Sequence, residues 1–204
     1  MDAVSAARLA TFAVCSSWMI GAAAQDDVVP GIDDDHPCAP DHDFDDALDL
    51  FDDDRRVEAL LLGLCEVPSI STNAQGTFTA EIDDESRLIV WTLTYQDLSA
   101  PVEQAHIHIG EQHTNGGISA FLCSNLDNGP AETQTCPETA ATISGTITPE
   151  LVVGPTDQGI DAGEFEELVR GIRFGAAYVN VHTTAFPAGE IRGQVVDGDD
   201  DLDD

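Results

Sequence analysis

The alternation of apolar and polar positions lays the chain out as a series of short strands. Residues 76–82 set Phe78, Ala80 and Ile82 against Thr77, Thr79 and Glu81, the period of two of a half-buried strand. Asp83-Asp84-Glu85-Ser86 supplies turn residues, and 87–95 returns as the partner strand, predicting a hairpin. Before it, the apolar run 57–67, ended by Pro68, predicts a first strand. Further strands are expected at 102–109, 118–123, 141–147, 176–182 and 190–195, separated by glycine and proline clusters. Residues 163–174 break the pattern. Phe165, Leu168, Val169 and Ile172 fall there at helical spacing, with Asp161 as the expected N-cap. About eight strands and one short crossover helix predict an all-β fold, a Greek-key β-sandwich or barrel.

The same alternation assigns faces, because residues two apart in a strand share one. Ala105, Ile107 and Ile109 form an apolar set, so Gln104, His106 and His108 belong to the other face. Val179 and Val181 likewise send Asn180 and His182 away from the core, and Ile191 and Val195 send Glu190, Arg192 and Gln194 away. The histidines are therefore expected to look outward. A His-x-His in a strand offers two imidazoles to one metal, a spacing that suits copper or zinc. His182 is the candidate third ligand, with Asn180, Glu190 and Arg192 as the groups around the three histidines. The competing reading is a hydrogen-bonded polar layer beneath the loops.

Composition narrows the function classes. The 204 residues hold 39 aspartates and glutamates against 7 basic residues, all arginine, for a formal charge of −32. Such a field repels polyanions and argues against binding nucleic acid or an anionic membrane. It suits a protein that works in high salt, where screening weakens self-repulsion, or one that binds cations. Thirteen aspartates lie between Gln25 and Asp54 and six between Asp197 and Asp204, dense like charge that cannot bury a core. Residues 55–196 keep 19 acids against six arginines. The expected organisation is a signal peptide at 1–24, an acidic disordered linker at 25–56, a β domain at 57–196 and an acidic tail at 197–204.

The signal peptide rests on the apolar stretch 9–20 followed by Gly21-Ala22-Ala23-Ala24, which fits cleavage before Gln25. The stretch is too short for a membrane span, and none is expected in the mature chain. Export leaves Cys38, Cys65, Cys123 and Cys136, an even number that implies two disulfides among three possible connectivities. Cys123 and Cys136 flank a loop rich in Asn, Gly, Pro and Thr, which favours a local bridge. Cys38 and Cys65 are then the remaining pair. The tail from Asp197 to Asp201 resembles half a calcium loop without its distal glutamate. The chain contains no Gly-x-Ser-x-Gly elbow, no phosphate-cradling glycine loop and no Asn-x-Ser/Thr sequon.

Three blocks carry a family resemblance: Leu62-Gly63-Leu64-Cys65-Glu66-Val67-Pro68; Ala105-His106-Ile107-His108-Ile109-Gly110 with Asn115-Gly116-Gly117; and Tyr178-Val179-Asn180-Val181-His182-Thr183 leading to Gly189-Glu190-Ile191-Arg192-Gly193-Gln194. In this order they resemble the CHRD (chordin-type) domain, over roughly residues 57–196. The family is named for a secreted antagonist of growth factors. The cysteine-rich modules through which that antagonist grips its target have no counterpart here, so its activity is not carried over. A looser likeness is to copper-zinc superoxide dismutase. It implies His106, His108 and His182 as copper ligands and Arg192 as the guanidinium that guides the anion. Nothing matches the bridging ligand and zinc loop of that family, since only His113 follows His108 closely. Three functional readings result. The first is a secreted, non-catalytic module binding an extracellular protein, a polysaccharide or a metal. The second is a copper-dependent dismutase-like enzyme, and the third a purely structural extracellular domain.

Overall fold

The computed structural model of the protein describes residues 56–198; the expected signal peptide, residues 25–55 of the expected acidic linker with Cys38, and residues 199–204 lie outside them. Nine strands and one α-helix follow in the order β1 (Arg56–Leu62), β2 (Gln75–Asp83), β3 (Leu88–Gln96), β4 (Val102–Ile109), β5 (Ile118–Ser124), β6 (Ala141–Ile147), α1 (Phe165–Arg173), β7 (Ala177–Thr183), β8 (Ile191–Gln194) and β9 (Val196–Asp197). All pairings are antiparallel, in the spatial order β5-β4-β7-β8-β1-β2-β3-β6, with β9 also on β1. The sheet curls into a nearly closed barrel whose two edge strands are β5 and β6. One face of each strand fills it. Leu61, Phe78, Ile82, Ile89, Leu93, Tyr95, Ile107, Leu122 and Ile147 are all buried, as alternation requires.

The expected hairpin is β2–β3, paired in unbroken register from Gln75↔Gln96 to Asp83↔Leu88. The first strand is shorter than its apolar run suggested. It stops at Leu62, and Gly63–Cys65 forms a 3-10 turn closed by the Glu66 N–H donating to the Gly63 carbonyl at 3.1 Å, which also accepts the Ile70 N–H at 2.7 Å. A Cβ at position 63 would overlap the Thr72 side chain and the Ile70 carbonyl, so glycine permits this close crossing. Leu64 is left 68 % exposed. The two-residue β9 was not expected. It continues the line of β8 after Val195, whose N–H bonds the Ala177 carbonyl at 2.9 Å.

The helix forms where the 3.6-residue spacing placed it, burying Phe165, Leu168, Val169 and Ile172. Its N-cap corrects an expectation. Glu164, not Asp161, occupies that position, and the Glu164 carboxylate accepts the Asp161 N–H at 2.7 Å. Glu166 and Glu167 lie in the first turn and Arg170 and Arg173 in the last, the order that complements the helix dipole.

Between the edge strands, the segment 125–140 lies over the seam of the barrel. Cys123 and Cys136 are joined in a disulfide, as their flanking loop suggested. Gln134 donates its side-chain amide to the Leu122 carbonyl on β5 at 3.3 Å and to the Ser144 carbonyl on β6 at 3.1 Å. Cys65 is buried and disulfide-bonded; Cys38, its expected partner, lies outside the described residues.

Candidate metal centre

Strands β4 and β7 are neighbours, with His106 opposite Asn180 and Gln104 opposite His182. This register brings His182 diagonally beside His106, on the face they share. The pairing of β4 with β5 shifts at Ala105/His106 and at Ile107/His108, irregularities that re-aim side chains. One nitrogen of each of His106, His108 and His182 lies within 4.8 Å of the others. His106 Nδ1 is 3.2 Å from His182 Nε2.

The histidines occupy the face away from Ala105 and Ile107, but they do not look outward. His106 is fully buried, and His108 and His182 are 7 % and 6 % exposed. The reason is non-local. Residues 110–117 fold back over β4, and the His108 Nδ1–H donates to the Gly116 carbonyl at 2.9 Å. The turn after β7 brings in the Pro187 carbonyl, which accepts from His182 Nδ1–H at 3.0 Å. Phe121 of β5 closes the remaining side, edge-on to His106 with ring centroids 4.5 Å apart.

These backbone acceptors fix tautomers. A carbonyl takes a proton from Nδ1 of His108 and of His182, so each neutral ring presents a bare Nε2. His108 Nε2 and His106 Nε2 are buried without a hydrogen-bond partner. Burial holds all three rings below the usual imidazole range. For His106 the charges of His182 and His108 add to it; for His108, pushed down to about 4, His182 and Arg192 add to it while the Gly116 bond opposes. For His182 the Pro187 bond opposes burial. At pH 7 the cluster is three neutral imidazoles, the protonation state in which histidine ligates metal.

The surrounding groups fall partly where the sequence placed them. Asn180 Oδ1 is 3.0 Å from His182 Nε2, and its Nδ2 reaches Glu66 Oε1 at 3.5 Å. Arg192 lies with its guanidinium 3.4 Å from the Tyr178 ring centre, and Tyr178 is stacked on His108 at 4.7 Å with a 3° tilt. Because β7 runs between β4 and β8, His108 and Arg192 reach that ring from opposite neighbouring strands. Arg192 is 2 % exposed and donates to the Thr114 and Glu111 carbonyls at 2.8 and 3.1 Å. It is a clamp on the covering loop rather than a free guanidinium. Glu190 is not among the groups brought to the histidines. It is fully buried and accepts from Thr72 Oγ1, the Ser99 N–H and Thr183 Oγ1 at 3.0, 3.0 and 2.8 Å. His113 is exposed on the covering loop.

Sequence reasoning missed Glu66 and Tyr178. Glu66 carried one signal, a charged residue enclosed between Cys65 and Val67 in an apolar run. Tyr178 carried its parity: it shares a face with Asn180 and His182.

The CHRD domain family matches residues 57–195, and the chain belongs to that family. No curated protein matches the chain.

Proposed function

We propose that this member of the CHRD domain family is an extracellular, non-catalytic binding module that holds one metal ion, copper foremost, on His106, His108 and His182. The observation that carries the reading is the set of three converging, buried imidazoles, with the Nε2 of His108 left without a partner. Such a buried acceptor costs about 1–3 kcal/mol, a cost that a cation bound there removes. Two ligands each about 2.0 Å from a common metal and 3.2 Å apart subtend roughly 106°, a normal coordination angle. The set contains neutral nitrogen and neither thiolate nor carboxylate, which suits copper or zinc, and copper binds such sites more strongly.

A dismutase-like enzyme needs an anion path to the metal. Arg192, the residue the looser likeness assigns to that path, is committed to two carbonyls and a ring face, which favours a binding role over turnover. Export is supported by the apolar stretch 9–20 and by the Cys123–Cys136 bridge, which suits an oxidising compartment. Among the described residues no helix is long and apolar enough to cross a membrane. An extracellular protein or polysaccharide remains the partner class proposed for the module's surface.

Copper titration of the full chain tests the metal reading. One equivalent is expected to bind, with His106→Ala and His182→Ala each lowering affinity about 100-fold or more, roughly 2.7 kcal/mol or above. Absence of stoichiometric binding, or binding that survives both substitutions, leaves the polar-layer reading, in which the histidines serve only to pin β4 to β7.

A further inference from the structure

Among the described residues two carboxylates are buried, Glu66 and Glu190. Glu190 is satisfied by three neutral donors. Glu66 is not. Its Oε2 accepts the Val67 N–H at 3.1 Å, while its Oε1 has the Asn180 amide at 3.5 Å. Gly189, at φ +127°, makes room for this placement, because a Cβ there would overlap Glu66 Oε1. Burial raises the Glu66 carboxyl above its ordinary value, and the positive Arg192 pulls the other way.

The line from Glu66 through Asn180 to His182 is one donor short. The Glu66 carboxylate accepts, and so does His182 Nε2 once its Nδ1 proton is given to Pro187. Asn180 lies between them with one donating end and one accepting end. With Glu66 ionised, either orientation of its amide leaves two acceptors facing each other, at 3.0 Å from His182 or at 3.5 Å from Glu66. A cation on His182 Nε2 resolves the conflict, with Asn180 still donating to Glu66. Three neutral imidazoles lend a cation no compensating charge, and Arg192 lies nearby, so a buried ion there needs an anion. Glu66 is the buried carboxylate that faces the cluster.

We propose that Glu66 is the counter-charge of the histidine site and, acting through Asn180, selects the charge of the ion held there, favouring a divalent over a monovalent cation. This rests on the metal reading above and makes Glu66 a positioning residue rather than a ligand. Removing one negative charge weakens the hold on a dication twice as much as on a monocation. The difference is one unit-charge interaction. At roughly 8 Å and an effective dielectric near 20 it corresponds to about a 30-fold change in relative affinity.

The test uses the full chain, with Cu²⁺ and Cu⁺ affinities each measured by competition against a chromophoric chelator. Glu66→Gln is expected to lower the Cu²⁺ affinity about 30-fold more than the Cu⁺ affinity. Glu66→Asp, which keeps the charge, is expected to hold the wild-type ratio within a few-fold. A merely structural Glu66 would affect both ions alike, and the shortened aspartate at least as much as the isosteric glutamine. That pattern overturns the inference. If Glu66→Gln does not fold, Glu66→Met removes the charge without a polar atom to misplace, and the same shift in ratio is required of it. Wild type that binds neither ion brings down the metal reading and this inference with it. Wild type that binds copper, with a ratio unchanged in the charge-removing variant, brings down this inference alone.

Discussion

An imidazole kept neutral by burial leaves a signature in the acid stability of the metal-free protein. The three ring pKa values lie below the ordinary 6.5, that of His108 at about 4. The unfolded chain therefore binds more protons in this range, and stability rises with pH there. The contribution is complete above about 6.5 and is lost as pH falls toward about 4; for His108 alone it amounts to about 3 kcal/mol. Glu66, shifted upward by burial, offsets part of this, being one carboxylate against three imidazoles. Denaturant midpoints taken from pH 7 down to about 5 should fall steadily in wild type and less in His108→Gln. A flat wild-type profile would refute neutral burial. Glu190 presents the opposite case, a buried acid with every bond made. Glu190→Gln turns one acceptor into a donor against three donors, and a loss of about 1–3 kcal/mol is expected in the same measurement.

At the scale of elements, the barrel depends on how its seam is held. No ladder joins β5 to β6. The segment 125–140 does so, through the Cys123–Cys136 bridge and the two carbonyl bonds of Gln134. Closing a loop of this length removes about 3 kcal/mol worth of unfolded-state freedom. Cys123→Ala with Cys136→Ala should lower unfolding stability by about that amount while far-ultraviolet circular dichroism is retained. The histidine site lies on β4 and β7, one strand in from the seam on the β5 side. Phe121 of β5 packs on His106, so the same double variant should also weaken copper binding. Unchanged affinity would show that the site is held by β4, β7 and their loops alone.

For the whole molecule, the charge of −32 is the dominant long-range term. Three of the six arginines in 55–196 are used in surface ion pairs, Arg87 with Glu166 at 2.6 Å, Arg173 with Asp84 at 2.7 Å, and Arg170 with Glu167. Exposed pairs of this kind contribute little each, and the remaining acids repel one another. Screening shortens that repulsion from about 10 Å at 0.1 M salt to about 3 Å at 1 M. The melting temperature should therefore climb as sodium chloride is raised over that interval. A level or descending curve would mean that the acidic surface is no burden to the fold.

What could be read in the residues was whatever the backbone pleat and the helical turn impose locally. β2, β3, β4 and β6 begin and end within one residue of the apolar–polar alternation, α1 follows its 3.6-residue spacing, and His106, His108 and His182 share a face because strand parity puts them there. A bridge between Cys123 and Cys136 was legible for the same reason, being short in sequence. Whether that face is wet or dry was not local, and here the expectation failed. Outward by parity, the histidines are buried because residues 110–117 and the turn at Pro187 fold over them. Nor could parity tell which acid stands beside them. Glu190, two residues from Arg192, faces Thr72 and Thr183, while Glu66 arrives from 114 positions before Asn180. Alternation decides which way a side chain points; only the closed barrel with its loops decides what it meets there.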